Sequence, residues 1–135
     1  MEVREAEVSD ADDIVGLWEA AGLTRPWNDP RADLERALAG PSSTVLLAED
    51  GSGILATAMV GHDGHRGWVY YVAVREDARG QGRGAAIMAA AEGWLRERGV
   101  PKVQLMVRDS NEAVLGFYGP LGYEPNAVRV LSRRL

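Results

Sequence analysis

The sequence predicts a mixed α/β fold, and three observations lead to that prediction. Apolar residues alternate at strand spacing in the middle of the chain, and they recur at helical spacing on either side of it. A glycine-rich turn at residues 79–84 joins the strand Trp68 to Val74 to an alanine-rich helix. Taken in order, the elements read β-α-α-β-β-β-α-β-α-β, with no internal repeat. At this length we expect one domain over residues 1–135.

Composition excludes several classes of protein. The net charge is -5 and the isoelectric point is near 5.0, so the basic face that a nucleic-acid partner requires is not expected. The chain has no cysteine for a disulfide or a thiolate nucleophile, and two histidines are too few for a histidine-built zinc site, so no metal is expected. No apolar run approaches membrane-spanning length. The sequence therefore predicts a cytoplasmic location with no membrane partner.

The first half of the chain is predicted to form a strand, two helices and a hairpin. Val3 to Val8 can form a short strand, and Ser9 with Asp12 suits the start of the first helix. Asp29 and Pro30 are typical of the cap and first position of the second helix. An antiparallel pair of strands follows, at Ser43 to Glu49 and Ile54 to Val60.

The second half is predicted to contain a βαβ unit and a short helix. Trp68 to Val74 is rich in aromatic and β-branched residues, and helical spacing resumes at Ile87 to Leu95. Lys102 to Val107 is expected to return beside the first of these strands, in the same direction. Asn111 to Tyr118 then indicates a short helix, and Val128 to Leu131 a last strand.

The turn at residues 79–84 is predicted to bind an anion. Gly80, Gly82 and Gly84 carry no Cβ that would keep a ligand away, and the helix that follows offers unpaired N–H groups at its positive end. A Walker loop is excluded because Gly-Lys-Ser/Thr is missing. A loose dinucleotide fingerprint is present, but residues 99–103 lack the acid expected about 20 positions later. A helix start without any ligand is the third alternative.

The turn and a later segment together resemble the GNAT family of N-acetyltransferases. Residues 79–84, which follow Val72-Ala73-Val74 and precede a helix, are similar to that family's coenzyme A pyrophosphate loop. Asn111 to Tyr118, with Leu121-Gly122-Tyr123 after it, is similar to the family's terminal motif. The resemblance covers nearly the whole chain. It implies the acyl-CoA N-acyltransferase fold, with a central mixed sheet of about six to seven strands and about four helices.

The resemblance implies acetyl-CoA as the cosubstrate and a set of residues that hold it. The backbone of the strand before the loop would line the cofactor arm, and an N–H there would polarise the thioester carbonyl. The loop amides would bind the pyrophosphate, with Arg79 and Arg83 either adding charge or standing as solvated surface. The implied cofactor-binding residues are Val72, Ala73, Val74, Arg79, Gly80, Gln81, Gly82, Arg83, Gly84, Asn111 and Tyr118.

The resemblance also implies direct acetyl transfer to an amine, without a covalent enzyme intermediate. Tyr118 matches the tyrosine that donates a proton to the departing thiolate, whereas without the resemblance it would be a core aromatic residue. Asn111 would bond the cofactor arm and also suits a helix cap. Relatives that acetylate the N-terminal amine of a ribosomal protein carry a glutamate where this chain has Met106. A thioether cannot accept the proton.

The sequence leaves the base and the acceptor open. His65, Asp29 and Asp63 are the candidate bases, and His65 has the most suitable intrinsic pKa. The alternative is that His65 is an ordinary surface residue of the turn. Trp27 and Asn28 lie where the family walls its acceptor pocket, and Trp27 could instead pin its loop to the core.

The acceptor is expected to be the amine of a small molecule, a protein N-terminus or a lysine, and a homodimer is compatible with the sequence. The alternatives to catalysis of this kind are a non-catalytic acyl-CoA-binding module and a dinucleotide-dependent oxidoreductase.

Overall fold

The computed structural model describes residues 1–135, which divide into two compact units, Met1–Leu105 and Met106–Leu135. The first unit contains one sheet with helices, and the second contains a single α-helix followed by irregular chain. The division falls directly after the fifth strand, where the sequence offers no composition typical of a linker. The expected single domain over residues 1–135 stays a prediction.

Five strands form the sheet of the first unit: β1 (Glu2–Glu5), β2 (Ser43–Asp50), β3 (Gly53–His62), β4 (Gly67–Val74) and β5 (Val103–Leu105). Their order in the sheet is the order in the chain. Strands β1 to β4 are antiparallel neighbours, and β5 lies parallel to β4. The sheet is therefore a meander with one crossover connection, as the sequence predicts for this βαβ unit.

Three helices cover the sheet: α1 (Ala11–Ala20), α2 (Pro30–Ala39) and α3 (Arg83–Glu97). Val45 and Leu47 of β2 belong to a buried cluster with Trp18 of α1 and Leu34 of α2. Alternate residues of a strand point to opposite faces, so the buried Leu46 points to the other face, where α3 packs. The sheet thus lies between two helical layers.

Helix starts follow local sequence in one case and not in another. Asp29 caps α2 by accepting a backbone N–H at 3.1 Å, and Pro30 follows it, which confirms the predicted start. Ser9 instead lies in a short 3-10 turn, whose reciprocal cap is made by Glu7 and Asp10. The prediction that Ser9 caps the first helix is therefore wrong, because Glu7 and Asp10 satisfy the free N–H groups one turn earlier.

The second unit contains α4, at Glu112–Tyr118, and a 3-10 turn at Gly119–Leu121. The rings of Phe117 and Tyr123 pack edge-on against Tyr118, with centroids at 4.9 and 5.6 Å. The contact between Tyr118 and Tyr123 joins the helix to the chain that follows it. None of the helices in either unit has the length and apolar character needed to cross a bilayer.

The structure confirms the mixed α/β fold and four α-helices but corrects three strands. The first strand, predicted over Val3 to Val8, ends at Glu5, and Val8 lies in the 3-10 turn. The strand predicted over Lys102 to Val107 is limited to Val103–Leu105. The last strand predicted at Val128 to Leu131 does not form, and its apolar side chains are exposed, Leu131 at 93%. A strand needs a neighbouring strand for its backbone hydrogen bonds, and none pairs with this segment. The sheet has five strands rather than six to seven.

Candidate functional site

Strand β4 has a paired half and an open half. Residues 67–69 form a parallel ladder with β5, whereas residues 70–74 have β3 on one side and no strand on the other. The Arg75 N–H bonds the Leu55 carbonyl of β3 at 2.8 Å. Because successive N–H groups of a strand point to opposite sides, the N–H of Val74 points to the open side. The open half therefore presents backbone groups to a ligand.

A β-bulge lies at the beginning of the open half. Opposite the single β3 residue Ala58, β4 places two residues, Tyr71 and Val72. Tyr71 has φ 51° and is the only residue other than glycine with a left-handed φ. Such a conformation costs on the order of 1–3 kcal/mol and persists only where the surroundings hold it. A bulge also bends its strand, and the ladder with β5 ends just before this bend.

Side chains from α1, α2 and β3 hold Tyr71. Its ring stacks on Trp18 with centroids 3.9 Å apart, and its hydroxyl donates to Asp33 Oδ2 at 2.7 Å. Its carbonyl accepts from Thr57 Oγ1 at 3.1 Å, and the Trp18 indole N–H donates to the same Thr57 oxygen at 2.9 Å. Burial, and next the bond to Asp33, raise the pKa of Tyr71. The hydroxyl therefore remains a donor at neutral pH.

The glycine-rich loop follows β4 and leads into α3. Gly80 and Gly82 have φ 73° and 77°, and a Cβ at either position would point into open space. The N–H groups of Gly80, Gln81 and Gly82 donate no hydrogen bond within the protein. Gly82 is also the N-cap of α3, and no side chain caps that helix. The loop therefore offers a row of unpaired N–H groups at the positive end of a 15-residue helix.

Arg75, before the loop, and Arg79, its first residue, differ in whether their side chains are already bound. Arg75 is held by Asp77 at 2.5 Å and serves the fold. Arg79 is exposed, and its Nε reaches only the Val74 carbonyl, at 3.4 Å. The backbone N–H of Arg79 bonds the Glu76 carbonyl at 3.4 Å, so this amide of the predicted cradle already has a partner. The side chain of Arg79, rather than its amide, is free to contact an anion.

Arg83, the first residue of α3, carries an unsatisfied donor. Its Nε is buried and has no hydrogen-bond partner, and its terminal nitrogens reach only Gln81, at 3.4 Å. A buried guanidinium donor without a partner is rare in folded proteins. Beside unpaired backbone N–H groups it suits a phosphate group, which accepts several charge-assisted hydrogen bonds. This end of α3 therefore fits the diphosphate of a cofactor.

A cleft of about 450 Å³ adjoins the loop. Val74 and Arg79, both members of the predicted cofactor set, belong to its wall. The other lining residues are Leu17, Ala20, Ala21, Arg75, Glu76 and Asp77. A cleft of about 400 Å³ beside Glu5, Trp94 and Arg98 contains none of the predicted site residues.

The turn between β3 and β4 places His65 at the far end of β4. Asp63 Oδ1 accepts from the N–H groups of Arg66 and His65 at 2.8 and 2.9 Å, which lowers the pKa of Asp63 and makes it a weaker base. An eight-residue strand spans about 23 Å, so His65 does not lie beside Val72–Val74. Its role as the base stays a prediction, with this distance against it.

The loop between α1 and α2 contains the predicted acceptor residues. Trp27 is 57% exposed, which is contrary to a role in pinning the loop to the core. The Asn28 N–H bonds the Arg25 carbonyl at 3.0 Å, and Asp29 is occupied by its helix cap. An acceptor role for Trp27 and Asn28 stays a prediction.

The second unit contains two of the predicted site residues, Asn111 and Tyr118. Asn111 Oδ1 accepts from the Val114 N–H at 3.3 Å, which confirms the cap and leaves the amide NH2 for a ligand. Tyr118 is 8% exposed, and burial raises its pKa, so its hydroxyl stays protonated at neutral pH. Met106 is 51% exposed. The roles of Asn111 and Tyr118 in catalysis stay predictions.

Sequence reasoning did not identify the residues that hold the bulge, Trp18, Asp33 and Thr57. One signal was present, because Thr57 is a polar residue inside the otherwise apolar segment Ile54 to Val60. A buried hydroxyl requires a hydrogen-bond partner, so its position indicated a polar contact within the core.

Comparisons with known proteins identify the family of this chain. Residues 12–123 match the model of the Acetyltransferase (GNAT) family. An acetyltransferase of Yersinia enterocolitica is 43% identical over 135 residues, which cover 100% of this chain and 96% of that protein.

Solved structures show the same fold at low identity. AAC(6')-Iy, solved with the bisubstrate analog CoA-S-monomethyl-acetylneamine, is 15% identical with a TM-score of 0.85, over 99% of this chain and 97% of that one. A predicted acetyltransferase of Clostridium acetobutylicum, solved with acetyl-CoA, is 17% identical with a TM-score of 0.80, over 98% of this chain and 95% of that one.

The family match spans the loop, α3 and α4, the elements that carry the two motifs of the resemblance. A dinucleotide-dependent oxidoreductase is excluded, because β1 to β4 form an antiparallel meander where a dinucleotide fold has parallel strands. The family match and the full-length relative together show that the chain is an acetyltransferase of the GNAT family, with acetyl-CoA as its cosubstrate.

Proposed function

We propose that this acetyltransferase acts on a primary amine, with acetyl-CoA held by residues 79–84 and by the open half of β4. One observation carries the proposal: the unpaired N–H groups of Gly80, Gln81 and Gly82 lie one 3-10 turn, Glu76–Ala78, after the half of β4 that lacks a strand partner. The unsatisfied Nε of Arg83 lies at the same helix end. A cosubstrate that combines a diphosphate with an extended arm fits these donors.

The backbone of this chain supplies the electrostatic part of the reaction. When bound, acetyl-CoA provides an acetyl group activated as a thioester. The N–H of Val74, and that of Val72 beside the bulge, donate toward the carbonyl oxygen on which negative charge develops. The amides at Gly80 to Gly82 and the dipole of α3 bind the diphosphate. Strand and loop hold these donors in place before the ligand arrives, so little reorganisation accompanies the reaction.

Protons are handled by side chains of the second unit and by solvent. Tyr118 donates a proton to the departing thiolate, and Asn111 bonds the cofactor arm through its free amide NH2. Because Met106 stands where relatives carry a glutamate, we assign deprotonation of the incoming amine to solvent, with His65 as the alternative. The reaction then needs no covalent enzyme intermediate.

A thiol-release assay tests this function. Purified protein is supplied with acetyl-CoA and a panel of polyamines, amino acids, aminoglycosides and peptides with free N-termini. Aminoglycosides belong in the panel because AAC(6')-Iy shares the fold. We expect release of coenzyme A with at least one amine. Silence across the panel, with acetyl-CoA binding intact by calorimetry, would favour the non-catalytic module.

Tyr118→Phe tests the proton donor. We expect kcat to fall about 100-fold, with the Kd for acetyl-CoA changed less than about twofold, because only the hydroxyl is lost. Burial raises the pKa of Tyr118 above the ordinary tyrosine value of about 10. The activity of wild type that depends on this proton should therefore fall only above about pH 10. The matched control is Tyr123→Phe, which removes a hydroxyl from a neighbouring ring. Equal kcat in Tyr118→Phe and wild type would contradict the role.

The cytoplasmic location and the homodimer are proposals that rest on the sequence. Cell fractionation tests the first, with enrichment in a membrane pellet as the contrary result. Sedimentation equilibrium tests the second, and a mass near 14.6 kDa at all concentrations would exclude the dimer.

A further inference from the structure

The peptide group between Tyr71 and Val72 lies at the bulge of β4. The chain contains no cis peptide bond, so the Tyr71 carbonyl and the Val72 N–H point in opposite directions. The carbonyl accepts from Thr57 Oγ1 of β3 at 3.1 Å. The Val72 N–H is therefore directed away from β3, toward the side on which the N–H of Val74 also points.

The proton positions around Thr57 follow from the chemistry of its partners. An indole N–H can only donate, so the Thr57 hydroxyl accepts from Trp18 at 2.9 Å and gives its own proton to the Tyr71 carbonyl. Trp18 and Thr57 are both 0% exposed, so water does not compete for either bond. The Thr57 hydroxyl thus has a single satisfied orientation.

The contacts of Tyr71 divide into two kinds. The stack on Trp18 and the bond to Asp33 hold the ring, but neither contact reaches the peptide group that follows Tyr71. The Thr57 hydroxyl is the side-chain group that holds the carbonyl. Since Tyr71 has a left-handed φ that its side chain disfavours, loss of this bond would let the peptide rotate toward a commoner conformation.

We propose that Trp18 and Thr57 are positioning residues for acetyl transfer. The relay from the Trp18 indole through the Thr57 hydroxyl to the Tyr71 carbonyl holds the Val72 N–H toward the open side of β4. There it donates to the carbonyl oxygen of the thioester. This inference rests on the proposed function and assigns its electrostatic donor to a specific peptide group.

Thr57→Val removes the relay with little change of shape. Removing one donor to a developing oxyanion costs about 100- to 1,000-fold in kcat, and a misdirected donor should cost at least about 10-fold. The Kd for free coenzyme A, which has no acetyl carbonyl, should change less than about twofold. Thr57→Ser keeps the hydroxyl and should retain kcat within about threefold.

Two readouts do not depend on turnover. The ratio of the affinities for acetyl-CoA and coenzyme A should fall in Thr57→Val and not in Thr57→Ser. In amide NMR spectra of wild type, the Val72 resonance should shift more with acetyl-CoA than with coenzyme A, and Thr57→Val should lose that difference. A purely structural role for Thr57 would lower thermal stability without changing either readout.

Three results would overturn the inference: unchanged kcat in folded Thr57→Val, equal loss in Thr57→Ser, or a parallel loss of coenzyme A affinity. If Thr57→Val does not fold, Trp18→Phe removes the indole N–H that orients the hydroxyl, and unchanged values there count against the relay. If wild type transfers acetyl to no amine, the proposed function fails, whereas the affinity ratio and the Val72 resonance still decide on the relay.

Discussion

The two edges of the sheet in the first unit end in different ways. At one edge all four residues of β1 pair with β2, and Arg4 bridges Asp10 at 2.9 Å and Glu49 at 2.7 Å. At the other edge β5 pairs with three residues of β4 and leaves residues 70–74 open. Unpaired backbone groups are a cost unless water or a ligand satisfies them. The ion pairs of Arg4 therefore stabilise the first edge, whereas the open half of β4 is left available for binding.

The largest effect is expected where the open edge leads into the loop. Gly82→Val places a β-branched side chain at φ 77°, so the loop must change conformation and its N–H groups must turn. We expect the Kd for acetyl-CoA to rise about 100-fold, close to 2.8 kcal/mol. Isothermal titration calorimetry measures this change.

The control for Gly82→Val is Gly93→Ala. A Cβ at Gly93, inside α3, meets nothing within 4 Å. This variant should bind acetyl-CoA as wild type does and gain about 0.5–1 kcal/mol in stability. Equal affinity in Gly82→Val and wild type would show that the loop does not hold the diphosphate.

A substitution in the paired half of β4 should lower the stability of the protein and leave its affinity for acetyl-CoA unchanged. A Cβ on Gly67 would lie 2.6 Å from Leu95 Cδ1, so Gly67→Ala forces α3 or the Leu95 side chain to move. We expect a loss of about 2 kcal/mol in the free energy of unfolding, measured with urea.

The double variant Gly67→Ala/Leu95→Ala should lose less stability than the sum of the losses in the two single variants. The reason is that the new methyl group fills space that the shorter side chain vacates. If the two losses simply add, the contact between the new methyl group and Leu95 is not what destabilises Gly67→Ala.

The smallest effect is expected at the edge formed by β1. The Arg4 guanidinium holds the pKa of Asp10 below its usual range, so this pair stabilises the fold above about pH 4 and loses its effect as the pH falls through the lowered pKa. Asp10→Asn should cost about 1 kcal/mol at pH 7. The difference in Tm from wild type should narrow between pH 7 and pH 3.

The control for Asp10→Asn is Asp12→Asn, at the exposed ion pair with Arg31. Exposed pairs contribute little, so this variant should match wild type at both pH values. If the Asp10→Asn difference in Tm stays constant with pH, the carboxylate is not the stabilising group.

Local signals predicted what neighbouring residues determine. Asp29-Pro30 marked the start of α2, and Asn111 marked the start of α4. The glycines of residues 79–84 marked the loop, because backbone with φ near 73–77° favours glycine whatever packs around it. The prediction of a strand at Val128 to Leu131 was wrong because alternation describes a strand only where another strand pairs with it.

The sequence by itself determined the family, the mixed α/β fold and the position of the glycine-rich loop, since these depend on periodicity, glycine and caps within short stretches. Tertiary structure alone decided which half of β4 is open, which arginines are occupied and how the bulge at Tyr71 is held. Those features depend on bonds between residues far apart in the chain, 39 positions for Trp18 and Thr57 and 14 for Thr57 and Tyr71. Such bonds form only when packing brings their partners together.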